Sequence, residues 1–223
     1  MKVIFEDEYV IAVEKIAGLQ VEPDRKQNPS VQENLQDFLK ETKSLKKNSF
    51  IFPLFRLDRP VSGLLLFSKN ISTFKLIQKQ IALRAVEKSY YAVVLGSPTL
   101  KSQRLIHFLE KDPKKFKSLV HEDTKSGTKE AVLEYDTLEI KDGFGLLKIQ
   151  LHTGRYHQIR AQLSHVNLPV WNDVLYNSQK YSDDIKIGLH CESFGFLHPG
   201  TQKRLTLQCP VPKELPWNIF SFS

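Results

Sequence analysis

Arg56, Asp58 and Arg59 stand in the segment FRLDRPVSGLLLFSKN, Phe55 to Asn70, directly ahead of the apolar run Leu64-Leu65-Leu66-Phe67. A surface loop has no need of that run, and a buried strand does not ordinarily begin with a clustered ion set. If Arg56 to Asp58 is extended, the two side chains point to one face. A guanidinium beside Asp58 favours the ionised carboxylate, while the adjoining apolar strand removes water from it. An ionised, desolvated carboxylate is useful as a nucleophile or a base. The same residues also suit a turn aspartate before Pro60 or a structural ion pair, and the segment by itself leaves these open.

A second segment is TGRYHQIRAQLSH, Thr153 to His165. Read as a helix opened by Thr153, it brings Tyr156, His157 and Arg160 together, opposite an apolar face of Ile159, Leu163 and Val166, with Arg155 near the helix start. Basic and aromatic groups on one face suit a ligand with phosphates and flat rings; a solvated helix face fits the segment equally well. In EKSYYAVVLG, Glu87 to Gly96, alternation puts Lys88, Tyr90 and Ala92 on one face of a strand. A tyrosine there is a core residue, or a stacking surface for a base if it faces the Asp58 segment.

Other chemistries find no pattern. The histidines have no HExxH or other metal-ligand spacing. Gly18, Gly63, Gly127 and Gly154 are isolated rather than grouped to cradle phosphate, and no Gly-x-Ser-x-Gly elbow occurs. Cys191 and Cys209 are too few for a disulfide framework and lack zinc spacing. Hydrophobic residues make up 41% and charged residues 26% of the 223, a globular composition. No apolar run approaches the roughly 20 residues of a membrane helix. Glu6, Asp7 and Glu8 stand where a signal peptide carries its apolar segment. The expectation is a soluble, cytoplasmic protein, monomeric and without a membrane partner. A net charge of +7 and a pI near 9.3 favour a polyanionic partner. The densest basic stretch, Lys101 to Lys129 with Lys111, Lys114, Lys115 and Lys117, surrounds a proline and reads as a loop, either simply solvated or tracking phosphates.

The elements that must carry these groups are mostly strands. Val3–Phe5 and Val10–Val13 read as a hairpin across an acidic turn. Ser30-Val31-Gln32-Glu33 has the form of a capping box, with Val31, Leu35, Phe38 and Leu39 following at helical spacing. Lys43 to Asn48 reads as a polar loop. The run after Gly63 lacks alternation, which predicts a strand covered on both faces. Ser72 is placed to cap a helix with Phe74, Ile77, Ile81 and Ala85 on one side. Tyr90–Leu95 is a strand; Ala131–Ile140 and Phe144–Leu151 form a hairpin through Lys141-Asp142-Gly143. Leu189–Leu197 and Arg204–Cys209 form a last one around His198-Pro199-Gly200. With no repeat or linker in view, residues 1–223 are expected to form a single α+β domain: a mixed, mostly antiparallel central sheet with flanking helices and a catalytic cleft.

In their order along the chain these segments resemble the RluA-type pseudouridine synthases. FRLDRPVSGLLLFSK is similar to the family's H-R-L-D-x-x-T-S-G-L-L-L motif, and EKSYYAVVLG to its K-x-Y-x-A-x-V-x-G strand. TGRYHQIRAQLSHVNLPVWNDVLY resembles its T-G-R-x-H-Q-I-R helix followed by a Pro and an Asp-x-x-Tyr, and LHCESFGFLHPGTQKRLTLQCPVP its closing hairpin. The likeness runs from about Lys2 to Pro216 and implies an RNA pseudouridine synthase that needs no metal or other cofactor. It implies that Asp58 is the catalytic aspartate, that Tyr90 packs against the target base, and that Arg160 is the basic residue paired with the aspartate. Arg56 matches an arginine expected to replace the flipped uridine in the stack, and Phe55, Arg59, Arg155 and His157 complete the RNA-binding set. The implied partner is ribosomal or transfer RNA.

The departures concern substrate contact more than chemistry. Phe55 stands where the family usually has His, Ile16 replaces the common Pro of K-P-x-G, Val61 replaces Thr and Asn172 replaces Gly. The expectation is that no separate small RNA-binding domain stands in front, so that recognition comes from the catalytic domain itself. Two other readings stay open: a catalytically silent RNA-binding protein on the same scaffold, and an N-glycoside hydrolase.

Overall fold

The computed structural model describes residues 2–24, 28–44, 50–176 and 178–222. Contacts along the chain group into two compact units, residues 1–87 with 191–210 and residues 88–190 with 211–223. Among the described residues no helix is long and apolar enough to cross a membrane.

In the first unit β1 (Lys2–Glu6) and β2 (Val10–Lys15) form the expected antiparallel hairpin. Asp7 builds its turn, its Oδ1 accepting from the amides of Tyr9 and Val10, both at 2.8 Å. A two-residue strand, β3 (Phe52–Pro53), lies against one end of β4 (Ser62–Ser68), and β2 runs antiparallel along β4 from Val10↔Ser68 to Lys15↔Gly63. Every residue of β4 is buried, which is why its sequence does not alternate. Gly63 is required there: its φ is +122°, and a Cβ would sit 2.3 Å from the carbonyl oxygen of Cys191. Helix α1 (Val31–Glu41) begins at Ser30, whose hydroxyl accepts from the Glu33 amide and donates to the Glu33 carboxylate. Its buried face is Val31, Leu35, Gln36 and Leu39; Phe38 turns outward instead of joining them. In the expected loop Lys43–Asn48, residues 45–49 lie outside the described residues. Helix α2 (Ile71–Ala82) is capped by Asn70, not Ser72: Asn70 Oδ1 accepts from Thr73 N at 2.8 Å, so the helix starts one residue before the serine. Ala85 falls beyond its end and is exposed.

The second unit is built on the strand order β5-β9-β8-β6-β7: β5 (Glu87–Leu95), β6 (Ser102–Asp112), β7 (Lys117–His121), β8 (Lys129–Lys141) and β9 (Phe144–Leu151). Each of these pairings is antiparallel. Asp142 and Gly143 close the β8–β9 turn with φ of 52° and 79°, the positive pair a two-residue hairpin requires. Most of the basic stretch is strand rather than loop: Lys111 and Lys117 lie in paired strands, Asp112 pairs with Lys117, and the proline marks only the turn Pro113–Phe116 between them, with a second connection at 122–128. Helix α3 (Gln158–His165) starts five residues later than Thr153. The Thr153 hydroxyl is engaged by the sheet, accepting from Val132 N at 2.8 Å and donating to Gln158 Oε1 at 2.8 Å. His157, left-handed at φ 50°, then turns the chain into the helix. One core cluster gathers Val93, Leu146, Trp171, Trp217 and Phe220.

The closing strands are β10 (Leu189–Leu197), which lies beside β4, and β11 (Arg204–Gln208), antiparallel to β10. The α+β expectation with a mostly antiparallel sheet is met.

Candidate active site

The residues singled out by type and spacing divide between the two units: Phe55, Arg56, Asp58 and Arg59 in the first, Tyr90, Arg155, His157 and Arg160 in the second.

In the first unit Asp58 opens a tight turn, its carbonyl oxygen accepting from Val61 N at 3.0 Å, and its side chain is half-buried. The turn rests on Lys15, whose side chain is only 1% exposed. The Lys15 ammonium donates to the carbonyl oxygens of Ile16 at 3.1 Å, Arg59 at 3.1 Å and Val61 at 2.6 Å. Three acceptors match the three donors of an ammonium, and two of them flank Pro60 in the turn that Asp58 begins. Burial pulls the Lys15 pKa from 10.5 down to about 7; the Asp58 carboxylate opposes the fall and the Arg59 guanidinium adds to it. Arg59 turns back on the chain, donating from Nε to Gly18 O at 2.8 Å while its own carbonyl accepts from Gly18 N at 2.8 Å. Arg56 is exposed and reaches Glu22 at 3.4 Å. Phe55 stacks flat on Phe194, with ring centroids 4.8 Å apart and planes 8° apart.

In the second unit Tyr90 is buried on β5 opposite Ile149. Arg160 is buried as well, and Asp173 grips it in a fork, Nε to Oδ2 at 2.6 Å and Nη2 to Oδ1 at 2.8 Å. Its guanidinium also lies over the Tyr176 ring, 5.2 Å from the centroid. The Tyr176 hydroxyl accepts from Ser118 N at 2.6 Å and lies 3.2 Å from His157 Nδ1. The His157 ring stacks on Tyr156 at 3.8 Å. Arg155 donates from Nε to Glu130 O at 2.8 Å. Tyr156, His157 and Arg160 do come together, but around a tyrosine that follows the helix rather than on a solvated helix face.

The sequence model of one family, described as RNA pseudouridylate synthase, matches residues 9–165. The chain belongs to the RNA pseudouridylate synthase family. The matched span of this pseudouridine synthase holds Lys15, Asp58, Tyr90 and Arg160 and stops short of Asp173 and Tyr176. It is similar to a tRNA pseudouridine synthase C of Haemophilus influenzae, 28% identical over 96% of this chain and 94% of the relative. It is also similar to a ribosomal large subunit pseudouridine synthase C of Buchnera aphidicola, 29% identical over 94% of this chain and 66% of that protein. Among solved structures it shares its fold with the human RNA pseudouridylate synthase domain containing 4, at a TM-score of 0.79 and 18% identity over 95% of this chain and 89% of the other.

Sequence reasoning gave no role to three side chains that hold the singled-out residues within their own units: Lys15 beneath the Asp58 turn, and Asp173 and Tyr176 around Arg160. Signals for them were present. Ile11, Val13 and Lys15 alternate onto one face of β2, so the lysine had to point with the core. Asp173 and Tyr176 are the acid and tyrosine of the Asp-x-x-Tyr stretch. A further group was invisible to spacing. Ligand atoms of His107, Glu122 and His165 all lie within 4.8 Å of one another. Gln162 Nε2, 3.0 Å from His107 Nδ1, donates to it and keeps the ring proton on Nε2, on the side that approaches Glu122 at 3.9 Å. His165 meets the same carboxylate at 2.6 Å, and that hydrogen bond holds Glu122 below its usual range. Two imidazoles and one carboxylate, all metal-ligating types, thus gather from residues 107, 122 and 165.

Proposed function

We propose that this synthase isomerises a uridine of transfer or ribosomal RNA, with Asp58 as the carboxylate that opens the C1′–N1 bond. The observation that carries the reading is the buried Lys15 clamp, which fixes the backbone beginning at Asp58 against a fully buried strand. A turn with no chemical duty has no need of a desolvated ammonium beneath it. The tRNA and ribosomal RNA specificities printed in the relatives' names supply the substrate classes.

The target uridine leaves the stack at a cost of about a few kcal/mol. Asp58 then either attacks C1′ or takes a sugar proton to form a glycal. In both routes the C1′–N1 bond breaks with its electron pair leaving on the uracil. The ring turns and C5 bonds to C1′, as the Asp58–C1′ ester bond breaks in the first route or as the sugar regains its proton in the second; the C5 proton is lost and N1 gains one, so the product is an isomer. Tyr90 stacks on the detached ring while it turns. The family resemblance gives Arg160, held in a fork by Asp173, the role of the basic residue that serves Asp58. Arg56 fills the vacated stack, and Phe55, Arg59, Arg155 and His157 contact the surrounding RNA. Chain 1–223 acts as one catalytic domain and as a monomer.

Release of tritium from transfer and ribosomal RNA carrying 5-tritiated uridine tests this. Wild-type protein should release it from at least one of the two, and Asp58→Ala from neither while still binding RNA. Full turnover by Asp58→Ala removes the aspartate from the mechanism. Free uracil as product makes the protein a hydrolase, and RNA binding by the wild type without any release makes it a silent binder.

A further inference from the structure

Phe116 ends the β6–β7 turn with φ 51° and its side chain 71% exposed. Both facts are costly for a phenylalanine. Left-handed backbone is the province of Gly and Asn, and a bulky residue there is a true outlier. A large ring left in water forgoes its burial energy. The turn itself does not depend on the ring, because Asp112 Oδ1 accepts from the amides of Lys114 and Lys115, both at 3.0 Å, and organises it.

The position is also held firmly. Tyr156 donates its hydroxyl to Phe116 O at 3.3 Å, and the Ser118 hydroxyl donates to Tyr156 O at 2.5 Å. Ser118 N donates to the Tyr176 hydroxyl, tying the same hairpin to the residue that carries Arg160. Cations surround the ring in sequence: Lys111, Lys114, Lys115 and Lys117, with Lys111 Nζ 4.7 Å above the Tyr156 ring. The nearby acids are occupied, Asp112 by the turn amides and Glu110 by His121 at 3.2 Å. A strained, exposed aromatic ring in a lysine-rich, rigidly anchored turn suits a partner with flat rings and phosphates.

We infer that the β6–β7 turn docks RNA, with an unpaired base stacking on Phe116 and the flanking lysines neutralising the adjacent phosphates. This rests on the reading of RNA as substrate. Stacking requires an unpaired base, since a duplex hides its base faces.

Binding of a fluorescently labelled RNA stem–loop with a uridine-rich loop, and of a fully paired RNA duplex, is measured for wild type, Phe116→Gly and Phe116→Trp. Glycine fits the left-handed backbone, so Phe116→Gly should unfold at or above the wild-type temperature while binding the stem–loop roughly 5- to 100-fold more weakly. Phe116→Trp should bind it at least as well as wild type, and affinity for the duplex should change less than about twofold in both variants. Lys114→Ala with Lys115→Ala should flatten the dependence of log affinity on log salt by roughly 0.7 to 0.9 for each phosphate no longer neutralised. Unchanged stem–loop affinity in Phe116→Gly, or an equal loss on the duplex, overturns the stacking role and leaves the Asp58 reading intact. Failure of the wild type to bind RNA overturns both.

Discussion

Lys15 Nζ lies 2.6 Å from the carbonyl oxygen of Val61, a contact between the end of one strand and the turn that Asp58 begins. Two opposing energies meet at this contact. Burying the ammonium is unfavourable, and leaving the three carbonyls without a donor costs about 1–3 kcal/mol each. Lys15→Met exchanges one for the other, so its stability by urea unfolding should stay within about 2 kcal/mol of wild type. Turnover should nevertheless fall by roughly tenfold or more at unchanged RNA affinity, because a loosened turn misplaces the carboxylate. A mutant as fast as wild type would show that the clamp does not position Asp58.

The same lysine sets a pH dependence. Its folded-state pKa is about 7 against 10.5 when exposed. Between those values the unfolded chain still binds the proton that the folded chain has released, so stability rises with pH through that window. Below it both states are protonated, the full burial penalty stands and the curve is flat. The gain should be about 1.4 kcal/mol per pH unit. Unfolding measured at about pH 7 and about pH 9 should therefore show a rise in wild type that Lys15→Met lacks. Parallel curves for the two proteins would contradict the depressed pKa.

Arg160 and Asp173 are both buried and paired in a fork. Asp173→Asn strands a guanidinium in the interior and should destabilise the protein by about 3–5 kcal/mol. Arg160→Met on that background should recover part of the loss, giving a coupling of about 1–3 kcal/mol in a double-mutant cycle. Strict additivity of the two substitutions would mean that the pair is not energetically joined.

Gly63 and Gly143 both have positive φ but differ in surroundings. At Gly143 a Cβ meets nothing within 4 Å, so Gly143→Ala should lose only the backbone preference, about 1 kcal/mol. At Gly63 it would overlap the Cys191 backbone, which has no flexible end to move aside. Gly63→Ala should cost more than about 4 kcal/mol or prevent folding, read from soluble yield and thermal unfolding. Equal behaviour of the two alanine variants would refute the close approach.

How far these features could be foreseen depended on the range of the interaction. The β1–β2 and β8–β9 hairpins, the Ser30 cap and the two-sided burial of β4 were legible, because each follows from residues within a few positions of one another. The start of α3 and the cap of α2 were misplaced by a few residues. Local rules permit both Ser72 and Asn70 as caps, and the Thr153 hydroxyl was claimed by β8. The basic stretch was legible as positive charge but not as a hairpin with a strained phenylalanine at its tip.

The order of the motifs, by itself, determined the family and the residue types on which the chemistry is proposed to rest. Their surroundings were decided only in three dimensions. Lys15 finds its carbonyls 44 and 46 residues away, and Gly63 is compelled by a strand that returns at Cys191. Such partners depend on which backbones are brought side by side, and folding over a long stretch of chain selects them where spacing cannot.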